Sequence, residues 1–417
     1  MEKDKLPKGA WLVVVFLFVV GALNYIDRNM LTTMRSSIVD SIPMSDAQFG
    51  LLTSMFLWVY GLLSPIAGYV ADKFKRSQVI IFSLVVWSIV TWLTGHATTY
   101  NQLLTSRALM GISEAFYIPA ALALIVDYHK GPTQSLATGI NLAGVMIGSS
   151  LGFVGGWIAE KYTWNLAFNG FGIIGVAYAI ILFFFLKDAP KDNFLLKHEI
   201  KQHSKIKFSF LGSLKYLFSK SSYVYLLISW GILGIVSWMI VAWLPTYYKE
   251  HFNLSQTLAG FYATAYLYPA SIVGLLIGGF LSDHFSKKHH YARIMIPIVG
   301  LAIAAPSVFL ASHISILHIS IIFFMIYGLT SKFTDTNMMP MLCIITDERY
   351  RATGYGILNM FATIIGGIGI YVAGKLRDMD FNLSYMYQIA AISIILSICL
   401  LFAVKANTKK DAIKNEL

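Results

Sequence analysis

The chain has 417 residues, of which 57% are hydrophobic and 13% are charged, and its formal net charge is +11 at pH 7. The charged share is about half of that in soluble domains, which excludes a soluble globular protein of this length. The two cysteines, Cys343 and Cys399, exclude a disulfide framework and a cysteine-ligated metal cluster.

Apolar blocks of about 20 residues, the length of a helix that crosses the hydrocarbon core, follow one another along the chain. The first block has no small-residue cleavage site, so we interpret it as a retained membrane helix and not as a secretory signal. Continuous apolar runs favour helices over the alternating strands of a barrel. The sequence therefore predicts an all-α membrane protein with twelve transmembrane helices. We number them spans 1 to 12 and place them at 10–36, 48–71, 78–97, 101–126, 135–158, 166–186, 222–246, 257–282, 291–312, 316–340, 353–374 and 384–405.

The basic net charge is explained by membrane topology and not by a nucleic-acid partner. If both termini are cytoplasmic, the segments on the inner side contain 24 of the lysines and arginines, and the outer segments contain five. The inner segments are 1–9, 72–77, 127–134, 187–221, 283–293, 347–352 and 405–417. The five outer residues are Arg35, Lys161, Lys249, Lys375 and Arg377. This asymmetry follows the positive-inside rule and predicts a multi-pass protein of a bacterial inner membrane with cytoplasmic termini.

The longest hydrophilic stretch divides the spans into two sets of six. The predicted units are a first six-helix bundle, a basic cytoplasmic linker and a second six-helix bundle, at 1–186, 187–221 and 222–417. Apolar residues recur at helical spacing within the linker, at Phe208, Leu211, Leu214 and Leu217. This spacing allows a basic amphipathic helix on the membrane surface, and a solvated tether is the alternative.

The two halves of the sequence repeat each other. The stretch from Gly68 to Arg76 after span 2 is echoed from Gly279 to Lys287 after span 8, at an offset of 211 residues. The tripeptide Ala137-Thr138-Gly139 is echoed by Ala352-Thr353-Gly354 at an offset of 215 residues. Two echoes at nearly the same offset indicate a duplicated six-helix unit.

The repeated loop resembles the signature between spans 2 and 3 of the major facilitator superfamily. The matching residues are Gly68, Asp72 and Arg76, with a degenerate copy at Gly279, Asp283 and Lys287. The resemblance covers nearly the whole chain and implies two pseudo-symmetric bundles that rock around a central cavity. A loop carboxylate can act as a latch against a helix N-terminus of the other half, near Ala352 or Ala137, where the dipole stabilises it by about 0.3–1 kcal/mol. The alternative is that these charges only mark cytoplasmic turns.

Charged residues inside spans predict the functional site, because each costs roughly 2.5–3.5 kcal/mol at a helix centre unless it faces a cavity or a partner. They are Asp27 and Arg28 in span 1, Arg107 and Glu114 in span 4, and Lys332 and Asp335 in span 10. A scaffold with neutralised ion pairs is the alternative, above all for the pair in span 10. Burial in apolar surroundings favours the neutral form of a carboxylate, which suits proton coupling.

The motifs around these charges narrow the resemblance. Asn24-Tyr-x-Asp27-Arg28, with Arg107-x-x-x-Gly-x-x-Glu114 in span 4, resembles the anion:cation symporter family, whose members move sugar acids and other organic acids with protons. The resemblance implies that Asp27 and Glu114 carry protons and that Arg28 and Arg107 are their partners and the anion contacts. The same motifs are similar to those of the Spinster family, whose substrates include lysolipids.

Other polar and aromatic residues complete the predicted substrate site. Tyr117 extends the charged face of span 4, and aromatic rings such as Tyr262 and Tyr266 suit the apolar face of a sugar. The predicted substrate contacts are Asn24, Arg28, Arg107, Tyr117, Asn141, Tyr262, Tyr266, Lys332, Asp335 and Asn359. Four glycines at a spacing of four residues in span 5, starting at Gly144, predict close packing with another helix. Gln134 stands where many relatives carry a basic residue, which predicts either a weakened latch in the first half or a latch satisfied by Lys130.

We therefore predict proton-coupled symport of a small organic anion, a hexuronate, aldonate or sialate, by alternating access. A Spinster-like exporter of a lysolipid or amphipathic drug is the alternative. The sequence has no nucleophile–base set, no metal-ligand spacing and no phosphate loop, so we do not expect an enzyme. A receptor is disfavoured by the twofold repeat. We expect a monomer in the bilayer that uses the proton gradient and needs no cofactor, metal or nucleic acid.

Overall fold

A computed structural model of the chain describes residues 6–7, 9–129, 133–190, 210–289 and 291–416. These residues form helices joined by short turns, and no strand occurs among them. The helices are Ala10–Thr33, Arg35–Ser41, Asp46–Lys73, Arg76–Thr94, Tyr100–Ala115, Tyr117–Tyr128, Gln134–Ser150, Phe153–Lys161, Trp164–Phe185, Phe210–Ser219, Ser221–His251, Gln256–Ala265, Leu267–Ser286, Ala292–His313, Leu317–Ile345, Arg351–Arg377 and Leu383–Glu416.

Twelve helical segments of the described chain are long and apolar enough to cross a membrane, which confirms the predicted number of spans. Spans 1 to 12 lie at Ala10–Thr33, Asp46–Ala71, Arg76–Thr94, Tyr100–Tyr128, Gln134–Lys161, Trp164–Phe185, Ser221–His251, Gln256–Ser286, Ala292–His313, Leu317–Ile345, Thr353–Arg377 and Leu383–Thr408. An even number of spans brings both chain ends to one side. We call this side terminal, and we call the other side, where residues 42–45 and 95–99 connect spans, distal.

Four of the spans that begin on the distal side start with side-chain caps. Ser45 and Thr99 form capping boxes with the residues three positions later, at the starts of spans 2 and 4. Thr163 and Ser255 accept a backbone N–H at the starts of spans 6 and 8. Each hydroxyl satisfies an amide that the helix itself leaves unpaired, which fixes where the helix begins.

Spans 4, 5 and 8 are each built from two helices, and in spans 4 and 8 a proline follows the break. Span 4 is interrupted at Phe116 and span 8 at Tyr266. Pro119 and Pro269 lie three positions after these breaks, in the first turn of the following helix. Proline lacks the N–H that would continue the helix and is tolerated in a first turn. The break changes the rotational register of the residues that follow it.

The predicted close packing of the span 5 glycines is confirmed, and their neighbour is span 1. A Cβ on Gly144 or Gly148 would overlap the span 1 backbone at Phe18 or Ala22. A Cβ on Gly156 would lie 2.9 Å from the Thr33 carbonyl oxygen. The glycines therefore hold span 1, with its charged residues, directly against span 5.

The described part of the predicted linker contains the helix Phe210–Ser219, which contacts span 7. Leu217 of this helix is fully buried in the core of the second half. The Tyr216 hydroxyl accepts a hydrogen bond from the Asp347 amide over 3.3 Å. The described part is thus a docked helix and not a free tether. Phe208 and the side chain of Leu211 lie outside the described part of the chain.

The two halves meet on the distal side and separate on the terminal side. Span 2 packs along span 11, where a Cβ on Gly50 would lie 2.9 Å from the Ile370 carbonyl oxygen. A Cβ on Gly374, near the distal end of span 11, would overlap the Asp46 carbonyl oxygen. Gly68 and Gly356, at the terminal ends of the same two spans, have open space around them. The central space between the halves is therefore closed distally and open towards the terminal side.

Four charged side chains, which we call the distal lock, join the halves at the closed end: Arg35, Asp46, Glu250 and Arg377. Arg377 of span 11 donates to Asp46 of span 2 over 2.9 Å and to both Glu250 oxygens over 2.8 and 2.9 Å. Arg35 pairs with Asp46 and lies 3.9 Å from Glu250. Arg35 and Asp46 belong to the first half, and Glu250 and Arg377 belong to the second. The ion pairs between the halves can therefore form only in the closed arrangement.

A carboxylate of the second half also caps span 2 of the first. Asp378 accepts hydrogen bonds from the Ser45 hydroxyl over 2.8 Å and from the Asp46 and Ala47 amides over 2.8 and 3.1 Å. Burial alone raises the pKa of Asp378, but these hydrogen bonds outweigh it and hold this pKa below its usual value. The cap therefore stabilises the distal closure in its ionised form.

The depressed pKa of Asp378 predicts that acid weakens the distal closure. A carboxylate whose pKa is lowered in the closed state stabilises the closure fully above its ordinary pKa of about 3.9. This stabilisation is lost as the pH falls through the lower pKa of the closed state. Spin labels at Ser41→Cys and Met379→Cys, with Cys343 and Cys399 replaced by serine, report the distance across the closure. We expect an unchanged distance from about pH 8 to about pH 5 and a longer one below about pH 4.

Asp378→Asn is the matched variant for this experiment, because its amide keeps the shape of the cap and removes its charge. Its distance distribution at neutral pH is expected to include the longer component without a further change in acid. If the wild-type distance lengthens near neutral pH, or if the variant responds to acid as the wild type does, Asp378 is not the titrating group.

Candidate functional site

A direct ion pair joins spans 1 and 4 in the centre of the first half. The Arg28 guanidinium donates from Nη2 to Glu114 Oε2 over 2.9 Å. Glu114 is fully buried, whereas the Arg28 side chain keeps 7% of its surface exposed. The rings of Tyr25, Phe56 and Tyr60 lie 4.4, 4.5 and 5.0 Å from the guanidinium carbon. The ion pair and these cation–π contacts together fix the position of the guanidinium.

The other two charges of spans 1 and 4 are enclosed in the first half. Asp27, 3% exposed, accepts a hydrogen bond from the Thr91 hydroxyl over 3.0 Å. Arg107, 1% exposed, places Nη1 3.0 Å from the Met110 sulfur and its guanidinium carbon 4.9 Å from the Phe56 ring centre. Neither forms an ion pair within 4.0 Å in the described part of the chain. Two carboxylates and two guanidiniums thus share an apolar interior, and Phe56 contacts both guanidiniums.

A central cavity of about 270 Å³ lies between the two halves. The predicted residues that line it are Arg28, Lys332, Asp335 and Asn359. Lys332 donates to Asp335 over 2.6 Å, and the two side chains are 23% and 39% exposed. The wall therefore combines a guanidinium from span 1 with an ammonium–carboxylate pair from span 10, one from each half. This arrangement can bind an anion whose polar groups reach both halves.

Asn24 and Arg107 are predicted as substrate contacts, but they do not line the cavity in this conformation. Asn24 is fully buried one turn before Arg28, and Arg107 is held by Met110 and Phe56. Both are enclosed by the helices of the first half.

Tyr117 and Asn141, also predicted as substrate contacts, belong to the packing of the first half. The Tyr117 hydroxyl donates to the Leu17 carbonyl oxygen over 2.8 Å and lies 3.2 Å from Asn141 Oδ1. Both side chains are fully buried. They tie spans 4 and 5 to span 1 and do not line the cavity in this conformation. The polar face of span 4 continues after Phe116 in a new register because the helix is broken there.

Tyr262 and Tyr266 do not line the cavity either, although a neighbouring tyrosine does. Their rings lie 5.8 Å apart, and each contacts Phe261, which packs against span 5. The cavity is instead lined by Tyr268, whose hydroxyl donates to Asn29 Oδ1 over 3.1 Å. The break in span 8 at Tyr266 places Tyr262 and Tyr268 in different helices, and Tyr268 faces the cavity.

Several cavity residues were not among the predicted site residues. They include Tyr25, Asn29, Trp230, Trp238 and Tyr327. One signal was present in the sequence, since Trp230 and Trp238 are eight residues apart in span 7 and therefore share a helix face. Tyr25 lies within the span 1 motif but lacked a charge to mark it.

Comparisons with known proteins give the family. The profile of the Major Facilitator Superfamily matches residues 17–370 and, in a second match, residues 235–416. The chain belongs to the Major Facilitator Superfamily. This superfamily assignment agrees with the twelve spans, and the similar proteins described next are transporters.

Two relatives of this superfamily protein are named for sugar acids. The hexuronate transporter of Bacillus subtilis (strain 168) is 28% identical over 293 residues, which span 69% of this chain and 66% of that relative. The probable galactarate/D-glucarate transporter GudP of Escherichia coli (strain K12) is 23% identical over 94% of this chain and 93% of its own.

Spinster proteins are also similar to this superfamily member. Spinster homologue 1 of Xenopus tropicalis is 24% identical over 72% of this chain and 59% of its own length. Among solved structures, a bacterial homologue of the human lysosomal transporter Spinster, in an inward-facing and occupied conformation, covers 97% of both chains with a TM-score of 0.75 at 22% identity. This likeness shows the shared fold. The chain is therefore a multi-pass superfamily transporter and not an enzyme.

The signature loops of this superfamily protein lie at the open, terminal side. Arg76 pairs with Asp127 and donates to the Ala123 carbonyl oxygen over 2.9 Å, within the first half. Asp283, with 80% of its side chain exposed, lies 4.0 Å from Arg293 of its own half. Gly279 has open space around it and Lys287 is exposed, while the side chain of Asp72 lies outside the described residues. The predicted latch of Asp283 on the other half is not formed in this conformation.

Proposed function

We propose that this transporter carries out proton-coupled symport of a small organic anion, a sugar acid such as a hexuronate, aldonate or sialate. The observation that carries the proposal is the ion pair between Arg28, which lines the cavity, and Glu114, which is buried behind it. An anion in the cavity and the Glu114 carboxylate can both neutralise the same guanidinium. Binding of the anion and release of the carboxylate are therefore coupled through Arg28.

Protonation of Glu114 supplies the coupling step. Neutral Glu114 no longer balances the Arg28 charge, so the guanidinium gains affinity for an anion in the cavity, with bidentate geometry if the anion is a carboxylate. When the anion leaves, Arg28 again stabilises the ionised form of Glu114 and the proton is released. We assign Asp27, hydrogen-bonded to Thr91, as the second proton-carrying group of the first half.

The orientation follows from the charge asymmetry of the chain. We propose that the terminal side faces the cytoplasm of a bacterial inner membrane, because the basic segments lie on this side. The conformation described here, open at the terminal side, is then inward-facing. We propose that the molecule acts as a monomer on a small anion and protons, and that the proton gradient drives it without a cofactor.

The substrate class is supported by the cavity and by the names of two relatives. Arg28 and Lys332, from opposite halves, can each donate hydrogen bonds to an anionic or hydroxyl oxygen, and Asn359 adds an amide. The rings of Trp230, Trp238 and others offer apolar plates for a sugar ring. The relatives named for hexuronate and for galactarate and glucarate transport favour acids of this size.

A second candidate function is transport of an amphipathic lipid or drug. The observation that favours it is the apolar part of the cavity wall, where Trp230, Leu233, Trp238 and Leu301 lie beside the charged groups. Such a wall can accept an acyl chain while Arg28 binds the head group. The Spinster relatives belong to this alternative.

Uptake by the purified protein in proteoliposomes tests both candidates. With an inward-directed proton gradient, we expect accumulation of radiolabelled glucuronate or gluconate that competes with unlabelled sugar acids and is abolished by a protonophore. Thermal-shift screening of the same acids gives an independent measure of binding. Inhibition of uptake by lysophospholipid, with no displacement by any sugar acid, would favour the second candidate. Transport that ignores the proton gradient would contradict symport.

A further inference from the structure

A second cavity, of about 520 Å³, lies on the terminal side, away from the central one. It is formed where span 8 ends, span 9 begins and span 12 ends. Its apolar wall includes Phe285, Met295 and Ile296, and its basic residues are Lys288, His289 and Lys405. Lys405 lies within span 12, so the cavity is at the depth where helices leave the membrane.

The two lysines of this cavity have no carboxylate partner in the described part of the chain. The only hydrogen bond of the Lys405 ammonium that the structure defines is to the Met295 sulfur, over 3.2 Å. A thioether is a weak acceptor and leaves the ammonium charge unbalanced. Asp283, five residues before Lys288, lies 4.0 Å from Arg293. Among the described side chains, which do not include that of Asp411, the site therefore presents cations beside an apolar wall without a paired anion.

The corresponding corner of the first half contains its own anion. There, the start of span 3 meets the segment after span 6. Asp188 accepts hydrogen bonds from the Ser77 amide over 3.0 Å and from the Ser77 hydroxyl over 2.8 Å. The carboxylate satisfies the helix N-terminus of span 3. In the second half, the start of span 9 meets Lys405 instead, so the described residues place a cation at this corner where the first half has a carboxylate.

We propose that this second cavity binds the head group of an anionic phospholipid. The phosphate takes the place that Asp188 occupies in the first half, near the start of span 9 and within reach of Lys288 and Lys405. The acyl chains run along Phe285, Met295 and Ile296, which free phosphate would leave uncovered. Basic pockets between transmembrane helices on the cytoplasmic side suit such head groups. The site is separate from the transport cavity and does not depend on the proposed substrate.

Native mass spectrometry of the full-length protein tests the proposal. The protein is titrated with phosphatidylglycerol and with phosphatidylcholine of the same acyl chains. We expect phosphatidylglycerol to bind more tightly to the wild type, and each lysine removed in Lys288→Gln and Lys405→Gln to weaken it by on the order of fivefold. Lys215→Gln is the matched control, because Lys215 is an exposed lysine of the terminal side outside the cavity.

Three outcomes overturn the proposal. They are equal affinity of the wild type for the two lipids, unchanged preference in the double variant, and full displacement of phosphatidylglycerol by millimolar inorganic phosphate, which would make free phosphate the ligand. Lys288→Gln alone changes an exposed side chain and leaves the packing of span 12 intact, so its result stands even if the double variant is unstable. Lys405→Arg is expected to keep the preference.

Discussion

Glu114→Gln is expected to abolish proton-driven accumulation of substrate while exchange of labelled for unlabelled substrate continues. Glutamine has the shape of the protonated glutamic acid but does not release a proton. In the variant, Arg28 keeps its position at the cavity wall and loses the carboxylate that competes with the substrate. Binding and reorientation therefore remain possible, and only the coupling to the gradient is lost.

The size of this effect follows from the driving force. With one proton per monovalent anion, a pH gradient of one unit supports about tenfold accumulation, because one unit corresponds to about 1.4 kcal/mol. The variant is expected to equilibrate substrate to a ratio of about one under the same gradient. Initial uptake, steady-state accumulation and counterflow in proteoliposomes measure the difference.

Asp40→Asn is the control for Glu114→Gln, since Asp40 is an exposed carboxylate of the same half. It should accumulate substrate as the wild type does. Arg28→Gln should lose counterflow as well as accumulation, because the anion contact itself is removed. If Glu114→Gln still accumulates substrate against the gradient, the proton is carried elsewhere, and Asp27→Asn in the same assay identifies or excludes the second carboxylate.

Arg377→Ala is expected to open the distal side. Arg377 is 13% exposed and binds carboxylates of both halves, with two hydrogen bonds to Glu250 and one to Asp46. Its loss removes the charge-assisted hydrogen bond between Arg377 and Asp46, which crosses between the halves, and leaves Asp46 paired with Arg35 of its own half. Hydrogen bonds to charged groups contribute about 1.5–3 kcal/mol each when well shielded, so we expect the open population to rise at least about tenfold.

Spin-label distances between Ser41→Cys and Met379→Cys measure this population in nanodiscs. Lys375→Ala is the matched control, because Lys375 precedes Arg377 by two residues in span 11 and its ammonium lies over the Tyr371 ring at 5.3 Å. It should leave the distance unchanged. A distance distribution in Arg377→Ala that equals the wild type would mean that the packing of spans 2 and 11, and not the ion pairs, holds the distal side closed.

The structure brings several of the charged residues predicted from the sequence together, but the predicted geometry of the site was incomplete. A charge inside an apolar span is costly, so the sequence alone identified Arg28, Glu114, Lys332 and Asp335, which the structure brings to the cavity or pairs with a cavity residue. Their roles in proton coupling and anion binding stay predictions. Aromatic residues carry no such cost, and the choice between Tyr266 and Tyr268 depended on a helix break that the sequence analysis did not use.

The number of spans and their approximate limits could be read from the sequence, because the thickness and polarity of the bilayer constrain each helix separately. The repeated motifs predict a duplicated six-helix unit. The rotation of each helix about its axis, and which end of the central space is closed, could not be read from the sequence. Both depend on contacts between segments far apart in the chain, such as Gly148 against Ala22, Gly374 against Asp46, and Arg377 between two carboxylates. Alternating access requires the same sequence to support more than one arrangement of its halves, so only the tertiary contacts decide which side of the cavity is open.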